Sequence, residues 1–237
     1  MATPEVIRDA ILSFDLSTDS VRDLNQRLHD PAAAAAGGRV RIHNPGGKHT
    51  IAAGLDGPYD VEIDGHVGYY CAGMNKHATV RIRGNSGVGV AENMMSGRVI
   101  VEGSASQSAA ASARGGLLLI NGDASARCGI SLKGADVVVR GSVGHMSAFM
   151  AQKGSLVVCG DAGDALGDSL YEAVLYVKGE VKSLGADAQF EPMSDADVSA
   201  VAALLDAAGL DHDPRAFRRI ASARTLYHWN ADADQEY

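Results

Sequence analysis

The sequence predicts an all-β protein, a parallel β-helix of about seven 19-residue rungs with short capping helices at the N- and C-termini. One observation behind this prediction is a set of glycines at a constant spacing of 19 residues, at positions Gly65, Gly84, Gly103, Gly122, Gly141, Gly160 and Gly179. The other is that the residues four and two positions before each of these glycines are all aliphatic. Such alternation is typical of a short strand with one buried face.

The length of the repeat decides how its strands are connected. A helical crossover between parallel strands needs roughly a dozen residues or more, and the units show no helical pattern between their strands. Each rung is therefore predicted to stack directly on the one before it. Gly46 lies 19 residues before Gly65, which predicts one further rung toward the N-terminus.

The composition is that of a folded globular protein. Of the 237 residues, 46% are hydrophobic and 21% are charged. No apolar run reaches the roughly 18 residues that cross a membrane, and residues 1–5 lack a basic leader followed by apolar residues, so we expect a cytoplasmic protein. The net charge of −8 has the opposite sign to that of a typical nucleic-acid-binding surface, so no nucleic-acid partner is expected.

The three cysteines are predicted to be free thiols. Cys71 and Cys128 occupy the same rung position three rungs apart, about 14 Å along the axis, which is too far for a disulfide. We expect both to be small core residues. Cys159 precedes its glycine at a position that is otherwise polar, and we expect it to face outward. No spacing of cysteine or histidine residues matches a metal or iron–sulfur motif.

The chain divides into three predicted parts. Residues 1–38 hold an N-terminal helix and an Ala/Gly linker, residues 39–193 form the parallel β-helix, and residues 194–237 form a C-terminal helical cap. An N-terminal helix is predicted over Val21–Leu28, capped by Asp19 or Ser20.

Two helices are predicted after the coil. The first begins at Ser194, with Asp197 three residues later, and ends at Gly209. The second begins at Pro214 and would place Phe217, Ile220 and Tyr227 on one face. Both would cover the apolar end of the solenoid.

The outward strand position, three residues before each glycine, is the place where catalytic acids would be expected. A polysaccharide-active β-helix enzyme would carry carboxylates there, but after Glu62 and Arg81 the next five rungs present apolar residues. These five residues, here named the outer stripe, are Ile100, Leu119, Val138, Val157 and Tyr176. Because monomers seldom expose such a band, we expect either a partner chain or the terminal helices of this chain to cover it.

A second candidate contact surface is basic. Four arginines lie within ten residues near the C-terminus of an acidic chain, namely Arg215, Arg218, Arg219 and Arg224. They form either a solvated face or a docking surface for an acidic partner. With the outer stripe they complete the interface candidates, and no catalytic, cofactor-binding or metal-binding residue is predicted.

The rungs resemble a known domain. Tandem Gly-x-x-Gly-x-x-x-Gly patterns, clearest at residues 160–167 and looser at 65–73, are similar to the GXGXG domain, the right-handed β-helix at the carboxyl end of the glutamate synthase large subunit. The lead-in at 20–25 and the tail at 217–229 extend the resemblance over nearly the whole chain. At this length the chain most resembles the stand-alone β-helix subunit of split enzymes, above all N-methylglutamate synthase (methylamine–glutamate N-methyltransferase).

The resemblance implies a structural subunit without catalytic residues of its own. It implies an amidotransferase-like partner and a synthase-like partner that carries FMN and an iron–sulfur cluster, in a hetero-oligomer that converts methylamine and L-glutamate to N-methyl-L-glutamate and ammonia. Two alternatives stay open. One is the β-helix subunit of a formylmethanofuran dehydrogenase or formyltransferase–hydrolase complex, and the other is a polysaccharide-active enzyme.

Overall fold

A computed structural model describes residues 11–224 of the chain. It confirms the predicted all-β parallel β-helix, a solenoid of about seven turns. The elements, in chain order, are β1 (Ile11–Asp15), α1 (Val21–Leu28), α2 (Pro31–Ala36), β2 (Gly38–His43), β3 (Tyr59–Asp64), β4 (Thr79–Ile82), β5 (Arg98–Val101), β6 (Leu117–Ile120), β7 (Lys133–Val139), β8 (Lys153–Val158), β9 (Val174–Val177), β10 (Ala188–Glu191), α3 (Asp195–Ala208), a single 3₁₀ turn (Pro214–Ala216) and β11 (Arg218–Ser222).

One eleven-stranded sheet runs along the solenoid. Strands β1 to β9 follow each other in parallel, and the sheet then ends with the order β9–β11–β10, both of the last pairings being antiparallel. Val61 pairs with Val80 and Val80 with Val99, so the strands from β3 to β9 keep the predicted 19-residue register.

The inward side chains of these strands form the core. All fourteen aliphatic residues that lie four and two positions before the repeat glycines are fully buried. Cys71 and Cys128 are fully buried among them as free thiols, as predicted, and burial raises the pKa of each to about 12. At the N-terminal end, α1 covers the core with Leu24 and Leu28.

The seven repeat glycines line up in one column, here named the glycine column. From Gly103 to Gly179, each backbone N–H donates to the carbonyl oxygen of the glycine one rung earlier, at 2.9–3.1 Å. A Cβ added at Gly84 or Gly160 would lie 2.7 Å from the carbonyl carbon of the preceding glycine. Because that space is filled by backbone, the column accepts only glycine without displacement of a neighbouring rung.

A ladder of side-chain hydrogen bonds runs beside the glycine column. The residue after each glycine is polar, and its side chain accepts a hydrogen bond from the backbone N–H of the equivalent residue one rung later. The members of this polar ladder are His66, Asn85, Ser104, Asp123, Ser142, Asp161 and Glu180, the last as donor only. These bonds, 2.8–3.2 Å long, satisfy backbone donors that a turn would otherwise leave open to water.

The corner opposite the strands has an unusual backbone. Residues five, seven and nine positions after each glycine have positive φ in six consecutive rungs, as at Tyr70, Ala72 and Met74. Tyr70 and Met74 donate to the following rung, whereas Ala72 donates to the preceding one. The corner therefore bonds to both neighbouring rungs by alternating the direction of its peptides, which offsets the cost of left-handed conformations for non-glycine residues.

The structure corrects the predicted start of the chain. β2 pairs with β3 at a separation of 21 residues, Gly38 opposite Tyr59, so Gly46 is not the register partner of Gly65. The predicted Ala/Gly linker contains α2, which Asp30 caps from its side chain and Pro31 begins. The chain before the coil also contributes β1, which pairs with β2. Ser20 caps α1 as predicted.

The predicted helix from Pro214 is wrong. Only a single 3₁₀ turn forms there, and Arg218–Ser222 continues as β11. The open edge of β9 explains this outcome, because Arg219 and Ile220 pair with its backbone and Ile220 enters the core. Tyr227 lies outside the described residues. In residues 11–224 no helix is long and apolar enough to span a membrane.

The glycine column makes a stability prediction. Gly141→Ala would bring a Cβ into a clash with Asp123 Oδ1 and to 2.8 Å from the carbonyl oxygen of Gly122, so we expect a loss of about 3 kcal/mol of unfolding free energy in urea titrations. Gly129→Ala is the matched control: its φ of +69° disfavours alanine, but no atom lies within 4 Å, so the loss should be about 1 kcal/mol. Equal losses for the two variants would contradict the close-packing account.

Candidate partner-docking surfaces

The outer stripe is covered by the C-terminal segment of the chain itself. Its five side chains are 0–4% exposed and form one cluster with Val201 and Leu205 of α3 and with Phe217. Of the two covers considered for the stripe, the structure therefore shows the chain's own helix. The stripe is not an open surface for a partner while α3 is in place.

Helix α3 forms where the sequence predicts it. Ser194 and Asp197 make a capping box, and Gly209 ends the helix in the left-handed conformation. Val201 and Leu205, four residues apart, fall on the same face and are buried, while the opposite face is polar or alanine.

Polar contacts hold α3 at both ends. At its start, the Tyr176 hydroxyl donates to Asp197 Oδ1 at 2.7 Å, and Arg219 Nε donates to the same oxygen at 3.1 Å. At its end, Arg98 donates to the carbonyl oxygen of Ala207, where a cation is also favoured by the helix dipole. Burial acts to raise the pKa of Asp197, but hydrogen bonds from Ser194 and Tyr176 outweigh it, so the pKa is lowered.

Three of the four predicted interface arginines serve the chain's own structure. Arg219 also pairs with Glu191, and Arg224 pairs with Asp187. The Arg218 guanidinium lies 5.2 Å from the centre of the Phe190 ring and donates to Gly179. Arg215 is exposed and has no ion pair with any residue between 11 and 224. The four therefore do not converge on one basic patch.

Cys159 differs from the prediction that it simply faces outward. It is half-buried and packs against the cluster beneath α3. Burial raises the pKa of its thiol, and the nearby Lys178 and Arg140 partly oppose that shift.

The residues at the outward strand position change from charged to apolar at the strand where α3 ends. In β2, β3 and β4 this position holds Arg41, Glu62 and Arg81, whereas from β5 onward it holds the apolar outer stripe. A groove of about 390 Å³ lies on the charged half, and we name it the arginine groove. It is lined by Ile11, Arg39, Val40, Arg41, Asp60, Glu62, Arg81 and Arg83.

Ion pairs link the side chains of the arginine groove. Arg41 lies 3.2 Å from Asp64 and 3.6 Å from Glu62, and Glu62 also pairs with Arg83. The sequence prediction concerned only carboxylates at this position and so missed the groove. The alternation of charges along strands β2 to β4 was the signal that could have identified it.

A second open surface lies at the corner of the solenoid. Large apolar side chains are 41–49% exposed there in two adjacent rungs, and we name the set the corner patch: Tyr69, Met74, Val88 and Met95. Tyr69 and Val88 occupy the same position in adjacent rungs, and the Tyr69 ring contacts the rings of His49 and Tyr70. Among the described residues, no group of three His, Cys, Asp or Glu side chains could hold a metal ion.

The cover over the outer stripe can be tested through Cys159. Leu205→Asp would bury a carboxylate at a cost of about 3 kcal/mol or more, so α3 should detach and Cys159 should react with a thiol reagent at least about tenfold faster. Ala203→Asp, on the exposed side of α3, should leave the rate unchanged. Cys159→Ser in the Leu205→Asp background should abolish the fast phase, and its persistence would contradict this assignment.

The Asp197 contacts predict a pH dependence. A carboxyl whose pKa is lower in the folded than in the unfolded state stabilises the fold above the unfolded pKa, and that stability is lost as pH falls through the folded pKa. We therefore expect the protection factors of the α3 amides, in which the intrinsic pH dependence of exchange is corrected for, to fall below about pH 4. Asp197→Asn should lack this acid-dependent change, and an identical pH profile in both proteins would rule out Asp197 as the titrating group.

Comparison with known proteins gives one informative relative. No protein-family model matches the chain. The chain is 54% identical over 66 residues to protein GlxC of Rhizobium meliloti (strain 1021), and the match covers 28% of this chain and 29% of GlxC. The match therefore spans less than a third of either protein, and it is a likeness between two segments rather than between whole chains.

Proposed function

We propose that the chain is the structural β-helix subunit of a split glutamate-synthase-like complex, and specifically of N-methylglutamate synthase. In this role it docks an amidotransferase-like subunit and a synthase-like subunit that carries FMN and an iron–sulfur cluster. The complex would convert methylamine and L-glutamate to N-methyl-L-glutamate and ammonia, with no catalytic residue from this chain.

The observation that supports the proposal is that one apolar surface of the chain is buried and another is exposed. The chain covers its outer stripe with α3 but leaves the corner patch open, with Met74 49% and Tyr69 47% exposed. Several large apolar side chains exposed on neighbouring rungs favour contact with another protein. The patch lies on the corner of the solenoid, whereas the arginine groove lies on its strand face, so two partners could bind without competing for one surface.

The solenoid suits the role of a spacer. Nine parallel strands at about 4.8 Å each give a column about 38 Å long from β1 to β9. Backbone bonds join neighbouring rungs at the strands, the glycine column and the corner. A column tied at several places on its circumference resists bending, so it would fix the distance between two active sites across which a reactive amine passes.

Co-expression tests this function. This chain, carrying an affinity tag, should co-purify with the two partner subunits as a yellow complex that forms N-methylglutamate, and omission of this chain should abolish assembly. The chain alone should be colourless and inactive. Flavin that stays bound to the isolated chain, or turnover by it, would overturn the proposal.

The corner patch gives a sharper variant of this test. Val88→Asp should weaken assembly of the complex by at least about tenfold, because a carboxylate would be desolvated in an apolar contact. Ala126→Asp places the same side chain at the same rung position two rungs further along, outside the patch, and should assemble normally. Normal assembly of the Val88→Asp variant, measured by analytical gel filtration, would exclude the patch as a contact.

A further inference from the structure

The strand face of the solenoid is divided into a covered half and an open half. Helix α3 lies over the outward side chains of β5 to β9, between its contacts with Arg98 at one end and Tyr176 at the other. The arginine groove occupies the same face over β1 to β4. Residues 11–224 contribute no helix over that half. The groove therefore lies on the same strand face as α3, in line with the helix and beyond its C-terminal end.

Arginines contribute to the way in which α3 is held on this face. The helix carries three aspartates, Asp195, Asp197 and Asp206, and no basic residue. The face contributes arginines to it: Arg219 donates to Asp197, and Arg98 donates to a carbonyl at the helix end. The interface between α3 and this face is therefore apolar at its centre and has an arginine contact at each end.

Arginines are the most frequent residues in the lining of the open half. Four arginines and two acidic residues line the groove of a chain whose net charge is −8. Arg39 is exposed and forms no ion pair with a described residue. Arg41, Arg81 and Arg83 have ion pairs, but their side chains are 38–50% exposed. Such surface pairs contribute little and can exchange for an incoming carboxylate.

An apolar contact lies at the mouth of the groove. Ile11 of β1 lines the groove and is 59% exposed. A free carboxylate or phosphate ion would make no use of this side chain, whereas a polypeptide segment with an apolar residue beside its acids would bury it.

We propose that the arginine groove docks an acidic segment of a partner subunit, which lies end to end with α3 along the strand face. The proposal deepens and rests on the proposed function, since it names the chemistry of one partner contact. Arg39 and Arg83 bind carboxylates of the segment, and Ile11 packs against an apolar side chain beside them.

The first test uses a labelled oligoglutamate peptide and the full chain. Fluorescence anisotropy should detect binding that weakens as salt is added. The double variant Arg39→Glu/Arg83→Glu should bind at least about tenfold more weakly, and Arg39→Lys/Arg83→Lys should retain most of the affinity. Arg127→Glu, an exposed arginine at the corner, is the matched control and should bind like the wild type. Absence of binding to the wild type would overturn the proposed chemistry of the groove.

The second test uses the complex with the two partner subunits. Arg39→Glu/Arg83→Glu should lower the affinity for one partner at least about tenfold, with a thermal midpoint close to that of the wild type, and Arg127→Glu should not. Unchanged assembly of the double variant would overturn partner docking at the groove while leaving the proposed function intact.

If the wild type itself forms no complex, the proposed function fails, and the peptide titration alone decides whether the groove binds acidic chains. Self-association that the double variant abolishes would identify a second copy of this chain as the occupant and overturn the proposal.

Discussion

Direct contact between the backbones of neighbouring rungs is the constraint on which the rest of the structure depends. At the glycine column the carbonyl of one rung fills the space that a side chain of the next would need. The N–H groups of that column, the polar ladder and the corner all bond across the same gap. Once the rungs are fixed at this spacing, the inward aliphatic residues stack in register and the outward positions form continuous surfaces.

Those outward surfaces differ because the C-terminal segment covers only part of them. Helix α3 and Phe217 remove the outer stripe from solvent. The apolar character of the stripe is therefore explained by its contribution to the stability of the fold. The arginine groove and the corner patch are left open and are the surfaces on which the proposed function depends. The largest apolar band of a partner-binding protein can thus be buried within its own chain and need not be the surface that binds the partners.

The solenoid could be predicted from the sequence because the residue pattern of each rung is short and recurs in every rung. The spacing of the glycines and the aliphatic residues before them determined both the strands and their register from Val61 to Leu175. The first strand of the coil could be predicted, but its register could not, since two additional residues between β2 and β3 break the 19-residue spacing. Ile220 has apolar spacing compatible with a helix, and only the free edge of β9 makes it a strand. The alternating charges of Arg41, Glu62 and Arg81 are visible in the sequence, but that this half of the face stays open depends on where α3 ends, which the sequence pattern does not show.

Helix α3 also relates the size of the solenoid to the covering segment. Fourteen helical residues extend about 21 Å, and the five stripe-bearing strands extend about 19 Å. Loss of one 19-residue unit between β5 and β9 would shift Arg98 by about 5 Å relative to the helix end that it binds. Any change in the number of these units would therefore require a compensating change of about one helical turn in α3, so the two lengths are expected to vary together among proteins of this design.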